Sequence, residues 1–389
     1  MRTTVRSELH DEKWDKSAIK EYQRASQFQP FIGKGMKPIV YRSMQARTDN
    51  VPFVPDLTGT FINGSNRLKG NETSMPSYHE TVTCEWLRKG VEYDKRTVSF
   101  TAFDVRAEAK DAITNFYKNG MRTRIIDALG AMRNSTSAGD NSLYGLITPG
   151  SFGPEITPAN SVGASITTIE GVTTTAADET LKDGWLANNS DRVLFGSLRS
   201  NNAANDHSAA LATIDSTDDT PRYSNVTLLK QMAKLASPKI NPFMLKNDRT
   251  GGLQEWYLML VCSRGFGYYQ NDPEIKQLDL SARERGLDNP AFTGGELLVN
   301  GVIIKEVEEM PFRFTSVGAS SIDVGVGYMI GNQALAYGSF QEMQSIADTD
   351  DYEFVKGIGT ECADVFKKIF FNGKQHGVVT HYFAAPAAG

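Results

Sequence analysis

A chain of 389 residues, 40% of them hydrophobic and 22% charged, is long enough for two or three folded units with cores of their own. Its 41 basic and 46 acidic side chains leave a net charge of -5, whereas a nucleic-acid reader needs a positive stripe to neutralise phosphates. The longest unbroken apolar run is the 7 residues from Trp256 to Cys262, too short to cross a bilayer, so no membrane contact is expected. Met1 to Arg6 carries no apolar signal-peptide region. Cys84, Cys262 and Cys362 form no C-x-x-C pair, a usage that suits a reducing cytoplasm. Charge is uneven along the chain: residues 1–50 hold 10 basic and 6 acidic residues, while residues 134–221 hold 3 basic and 11 acidic.

The spacing of Ile19, Tyr22 and Ala25 predicts a short helix over 15–27, ended by Pro30 and the glycines of Phe31-Ile-Gly-Lys-Gly35. From Pro38 to Tyr93 the chain reads as extended at both ends and turn-rich between. The prolines of Val51-Pro-Phe-Val-Pro55 place that run at a sheet edge or outside a sheet. Thr81 to Arg88 alternates as a half-exposed strand. Gly59, Gly64 and Gly70, with Asn63, Asn66 and Asn71, mark a polar tip. Two arms around such a tip make a long hairpin without a core of its own, which is sensible if it packs on another subunit.

Val105, Ala109, Ala112, Ile113 and Phe116, continued by Met121, Ile125, Leu129 and Met132, trace one face of a helix from Phe103 to about Met132. At 1.5 Å per residue this is a rod of roughly 45 Å, a scaffold element. Asn119-Gly120 predicts a kink or local weakness in it. Residues 134–221 turn rich in Ser, Thr, Asn, Asp, Ala and Gly, and read as long surface loops around one strand, Arg192 to Gly196. A helix follows from Ser224 to Leu235, then strands at 255–262, 296–307, 321–328 and 377–383.

Chemistry motifs mostly fail. There is no P-loop and no nucleophile elbow. Gly325-Val-Gly327-Tyr-Met-Ile-Gly331 has one residue too many for a dinucleotide loop and reads as a buried strand entering a turn. Ser17 and Lys20 match S-x-x-K without a partner motif. His376 and His381, five apart in a strand, fall on opposite faces and read as surface histidines rather than a zinc pair. Asp348, Asp350, Asp351 and Glu353 read as a solvated turn, lacking the glycine of a calcium loop. Glu306, Glu308 and Glu309 read as a surface or interface face. No catalytic residue, metal ligand or cofactor is therefore expected.

A set of landmarks carries a family resemblance. The N-terminal helix runs into Phe31-Ile-Gly-Lys-Gly35, followed by Leu57-Thr-Gly59 and Gly64-Ser-Asn-Arg-Leu-Lys-Gly-Asn-Glu72. Leu87-Arg-Lys-Gly90 and Asp104-Val-Arg-Ala-Glu-Ala109 come next, and the C-terminal part adds Pro290-Ala-Phe-Thr-Gly294, Asn300-Gly-Val-Ile303, Gly331-Asn-Gln-Ala-Leu-Ala336 and Lys374 to Ala384. In this order they resemble the tailed-phage major capsid proteins of the N4-like family; segment 134–221 matches poorly. The resemblance implies an α+β, HK97-like capsid fold. Residues 1–49 become the N-arm and 50–98 the extended E-loop hairpin. Residues 99–140 and 312–389 form the peripheral domain with a spine helix at 102–133, and 141–311 the axial domain with the acidic loop-rich insertion.

The function implied is structural and non-catalytic: self-assembly into hexamers and pentamers of an icosahedral shell around a double-stranded DNA genome. The E-loop tip residues Asn66, Arg67, Leu68, Gly70, Asn71 and Glu72 would contact a neighbouring subunit. Val105, Ala109, Ala112, Ile113, Phe116, Ile125 and Leu129 would pack the spine helix, with Gly120 a candidate hinge. Implied partners are further copies of the chain, a scaffolding protein, a portal and a decoration protein. Packaged DNA would be met only by non-specific proximity. The expected location is the virion capsid, assembled in the host cytoplasm. The alternatives are an encapsulin-type compartment shell and, from a different class, a cytoplasmic α+β enzyme.

Overall fold

The computed structural model describes residues 28–34, 36–53, 61–64, 78–96, 105–132, 176–246, 253–283, 297–307, 317–350, 354–371 and 373–386. The helix expected over 15–27 and residues 134–175 of the acidic stretch lie outside the described residues. The N-terminal part supplies β1 (Ile32–Gly33), β2 (Ile39–Ser43), β3 (Thr48–Phe53), β4 (Tyr78–Thr83), β5 (Glu85–Asp94) and α1 (Val105–Gly130). Next come α2 (Ala176–Asn189), β6 (Val193–Phe195), α3 (His207–Ala212), α4 (Tyr223–Leu235), β7 (Phe243–Lys246) and β8 (Leu253–Val261). Helices α5 (Ser263–Asn271) and α6 (Pro273–Arg283) precede β9 (Leu297–Val299), β10 (Val302–Glu306) and β11 (Val324–Ile330). The chain closes with β12 (Leu335–Asp350), β13 (Val355–Lys368), β14 (Phe370–Phe371), β15 (Lys374–Gln375) and β16 (Val378–Ala384).

Two larger sheets organise these elements. The smaller has the order β1-β2-β12-β13-β5. Strands β12 and β13 make a long antiparallel hairpin, which sequence periodicity did not reveal; β2 runs parallel to β12, and β5 antiparallel to β13. Strands β3 and β4 pair with each other, so Pro52, opposite His79, breaks no inner ladder.

Helix α1 covers one face of this sheet. Ile113 and Tyr117 are buried against Leu87, Met343, Ile358 and Cys362, and Met121, Ile125, Ile126, Leu129 and Met132 join the main core. Of the expected face, Ala109, Ile113, Ile125 and Leu129 are buried, while Val105 and Phe116 are half-buried. Ala112 is a correction: it is exposed, because it stands about 100° around the helix from Ile113 and Tyr117 takes the sheet-facing place. The helix continues through Asn119-Gly120, with Gly120 buried. Its last carbonyls, which lack intrahelical donors, are met by a buried lysine. Lys368, only 1% exposed, donates from Nζ to the carbonyls of Leu129 at 2.8 Å and Ala131 at 3.2 Å. Lys368→Met keeps the stem but leaves those carbonyls without the ammonium. A loss of about 2 kcal/mol is expected in a urea titration of the purified chain.

The larger sheet runs β6-β16-β11-β8-β10-β9, with β7 paired to β8. Strands β11 and β16 are buried along their whole length. The C-terminal part therefore does not belong wholly with α1 and the smaller sheet, as the 312–389 boundary implied. Strand β11 pairs with β8 and β16, and β16 with β6, which places both in the larger sheet.

The Gly325-Val-Gly327 motif lies in this buried strand. A Cβ on Gly325 would come within 2.6 Å of the Phe383 ring, and one on Gly265 of α5 equally close, so the two glycines make room for an aromatic side chain. The strand expected at 296–307 is instead the hairpin β9–β10. It folds at Asn300 and Gly301, whose φ of 47° and 74° suit a tight Asn-Gly turn. Residues 176–221 are not loops around one strand: α2 and α3 flank β6 and bury Trp185, Leu186 and Leu211. His381 is a fully buried histidine, not a surface one, and His376 is half-buried.

Candidate functional site

The most distinctive surface lies on the face of the smaller sheet away from α1. Along β5, Leu87 and Val91 pack toward α1, and the Lys89 ammonium sits 5.1 Å from the Phe116 ring centre. Alternation then turns Arg88, Gly90 and Glu92 to the opposite face. Register places Arg88 opposite Glu361, Gly90 opposite Gly359 and Glu92 opposite Gly357. On the other side of β13, Ile346 stands opposite Gly359 and Asp348 opposite Gly357. Three glycines on one face leave bare backbone as the floor of an open trough of about 550 Å³.

The fold itself does not require those glycines. A Cβ on Gly357 would meet nothing nearer than Asp348 at 3.8 Å, and one on Gly359 nothing nearer than the Lys89 carbonyl at 3.7 Å. The missing side chains are thus a property of the surface. Farther along the same face Trp86 and Phe340 are 52% and 43% exposed, with ring centres 6.4 Å apart, while Ile346, 41% exposed, lines the trough itself. The Arg88 and Glu361 rung separates this exposed aromatic pair from Ile346, and two exposed rings in contact mark a small apolar patch at the end of the trough. The rim is acidic, with Glu92, Asp348 and Asp350 beside Arg88. Arg88 already pairs with Glu361 at 3.5 Å.

The reverse face holds the trough in place. Tyr117 donates its hydroxyl to the Thr360 carbonyl at 3.0 Å, and burial pushes that phenol up to about 12. Arg124 of α1 donates to the Asp364 carboxylate at 2.6 Å and to its carbonyl at 2.9 Å. Its guanidinium also lies 5.2 Å from the Phe366 ring centre.

A second surface is of the opposite kind. Between β3 and β4, the described stretch 61–64 presents Phe61 at 96% exposure. The tip residues Asn66, Arg67, Leu68, Gly70, Asn71 and Glu72 lie outside the described residues, as do Ser17, Lys20, Glu308, Glu309, Asp351 and Glu353. Among the described residues, no three His, Cys, Asp or Glu side chains are placed to hold a metal ion. None of the described helices is long and apolar enough to cross a membrane. Sequence reasoning missed the trough; its signal was the Gly357-x-Gly359 pair opposite Gly90, visible only once β12 and β13 are known to be strands.

A family model described as phage capsid protein matches residues 2–387. The major capsid protein of Pseudomonas phage KPP25 is 22% identical, over 96% of this chain and 94% of that relative. Among solved structures, the capsid asymmetric unit of cyanophage Pam1 is 26% identical with a TM-score of 0.74, covering 94% of each chain. The capsid of Ralstonia phage GP4 aligns with a TM-score of 0.67 at 16% identity, over 94% of this chain and 92% of its own.

Proposed function

The chain belongs to the phage capsid protein family, and from that premise we propose that its copies close into hexamers and pentamers through one repeated contact, the Phe61 arm of one copy lying over the glycine-floored trough of the next. As a major capsid protein with an HK97-like, α+β fold, it forms the wall of a phage shell and its place is the capsid. A contact between two different patches is heterologous, and repeated around an axis it generates a ring.

The observation that carries this reading is the pair of unlike surfaces on one chain: an almost wholly exposed phenylalanine and a trough floored by Gly90, Gly357 and Gly359 with Ile346 beside them. Charge supports it as well. The sequence following Phe61 holds Arg67 and Lys69 against Glu72, and the trough rim holds Glu92, Asp348 and Asp350.

In this assignment residues 1–49 are the N-arm. The E-loop arms are β3 and β4, and β5 is built into the peripheral sheet. Helix α1 is the spine, with Gly120 as its hinge during shell expansion, and the larger sheet is the axial unit, completed by β11 and β16. Scaffolding, portal and decoration proteins are the further partners, and assembly takes place in the host cytoplasm. The packaged double-stranded DNA meets the wall by proximity alone, since a net charge of -5 offers no tight grip. The N4-like subgroup is the finer family placement, resting on the Gly64 to Glu72 landmark.

Light scattering and negative-stain microscopy of wild type and Phe61→Ala test this reading. Wild type is expected to form rings or closed shells. The variant is expected to keep the wild-type melting temperature, because Phe61 is 96% exposed, yet to assemble poorly. A wild-type chain that stays monomeric even with a scaffolding protein overturns the shell reading. Normal assembly of Phe61→Ala overturns the contact alone.

A further inference from the structure

The sequence holds five histidines, and His207, His376 and His381 all gather around the β6–β16 edge of the larger sheet. We infer that the contiguous segment α2–β6–α3 is an acid-released flap, latched onto β16 by the neutral imidazole of His207. The latch is geometric. His207 opens α3, is fully buried, and its Nε2 lies 3.1 Å from the Tyr382 hydroxyl of β16. Its ring is enclosed by Trp185 of α2, Phe195 of β6 and Tyr382, at centroid distances of 6.1, 5.6 and 5.2 Å. Its backbone N–H donates to Asp183 at 2.9 Å, which ties α3 to α2.

The charged groups around this ring decide its response. From α2 come the buried Lys182 ammonium and the Asp183 carboxylate; at the start of α3, Asp206 caps the helix by accepting from the Ala209 N–H. From β16 comes the neutral Tyr382, and from β6 the apolar Phe195. Burial, reinforced by Lys182, pushes His207 down to about 3 from its ordinary 6.5. His381 lies on the other face of β16, 2.9 Å from the Gly196 carbonyl. Burial lowers it to about 4, against the opposing pull of that carbonyl and of Asp219. His376, at the base of the flap, is lowered to about 4 by burial and by Arg192; Asp191 and Lys374 stand beside that arginine, 3.4 Å from each other.

The sign follows from linkage. A histidine held neutral when folded contributes stability that is complete above 6.5 and is lost as pH falls toward its folded value. A segment held by a short edge strand can leave without unzipping the rest of its sheet. Strand β6 joins β16 through three residue pairs at the sheet edge, while β16 keeps its seven-residue ladder to β11.

Hydrogen exchange of the full chain between pH 7 and 2.5, a range that includes the levelling near the folded His207 value, corrected for the intrinsic rate at each pH, tests the inference. In wild type, opening of residues 176–214 is expected to rise about tenfold per pH unit below 6.5 for the His207 proton alone, while 335–368 stays protected. His207→Gln keeps a polar partner for Tyr382 but takes up no proton, so the slope should fall by that tenfold factor per unit. General destabilisation would instead raise exchange equally at every pH. If that variant does not fold, Lys182→Met provides the second readout: with the like charge gone, the rise should level off at a higher pH than in wild type. An unchanged slope in His207→Gln, a rise in Lys182→Met identical to wild type, or simultaneous opening of 335–368 overturns the latch.

Discussion

Arg124→Ala is expected to destabilise the chain by about 3–5 kcal/mol, because it strands a buried carboxylate. The Asp364 side chain is 4% exposed and that of Arg124 13%, with 2.6 Å between them. Beyond this pair, the Asp364 carboxylate has, among the described residues, only a 3.4 Å contact from the Tyr337 hydroxyl, too long to stand in for a guanidinium. The pair also spans the join between α1 and β13, so its loss loosens the helix from the sheet that carries the trough. Chemical denaturation of the variant, read as the midpoint at constant slope, gives the cost. The companion Arg124→Met with Asp364→Leu separates a stranded charge from lost packing. Removing both partners is expected to cost much less than removing the arginine alone. Equal costs would mean that the guanidinium acts through its stacking on Phe366 and not through its charge.

What the residues disclosed in advance follows from how regular each element is. Helix α1 was legible because Ile113, Ile125 and Leu129 keep a helical spacing over many turns; only Ala112 was misplaced, a residue too small for burial to be read from its type. The long hairpin β12–β13 was hidden for a definable reason. The pairing register shifts between Ser339 and Gln341 and again between Gln341 and Gln344, and such irregularities break the alternation that marks a strand. Helices α2 and α3 were hidden by composition, since their Ala, Asn, Asp and Ser residues average to a loop even though Trp185 and Leu186 are core residues. The start of α6 did carry its signal. Pro273 occupies the first position, and Asp272 accepts from the Glu274 N–H at 3.0 Å, a pattern that favours helix initiation. The trough was out of reach because it is a property of register: Gly90, Gly357 and Gly359 are far apart in sequence and meet only across a ladder.

That same register gives the test that most cleanly separates folding from assembly. Gly359→Leu is expected to leave the isolated chain as stable as wild type, or slightly more so. Glycine inside a strand is unfavourable by roughly 0.5–1 kcal/mol relative to alanine, and a Cβ at this position meets only ordinary contacts. The added side chain would stand on the trough floor, between Ile346 on one side and Gly90 on the other, and would occupy the space that receives the neighbouring arm. Each contact is expected to weaken at least tenfold, about 1.4 kcal/mol, and shell formation, read as scattering intensity at matched concentration, to fall by more than that. In a closed ring every copy both offers the arm and receives it, so a modest loss per contact is multiplied around the axis. Thermal melting and scattering measured on the same preparation decide the matter. A lowered melting temperature would place Gly359 in the fold rather than at the interface. An unchanged melting temperature with normal shells would show that the trough receives nothing, and the Phe61 arm would then need a different seat.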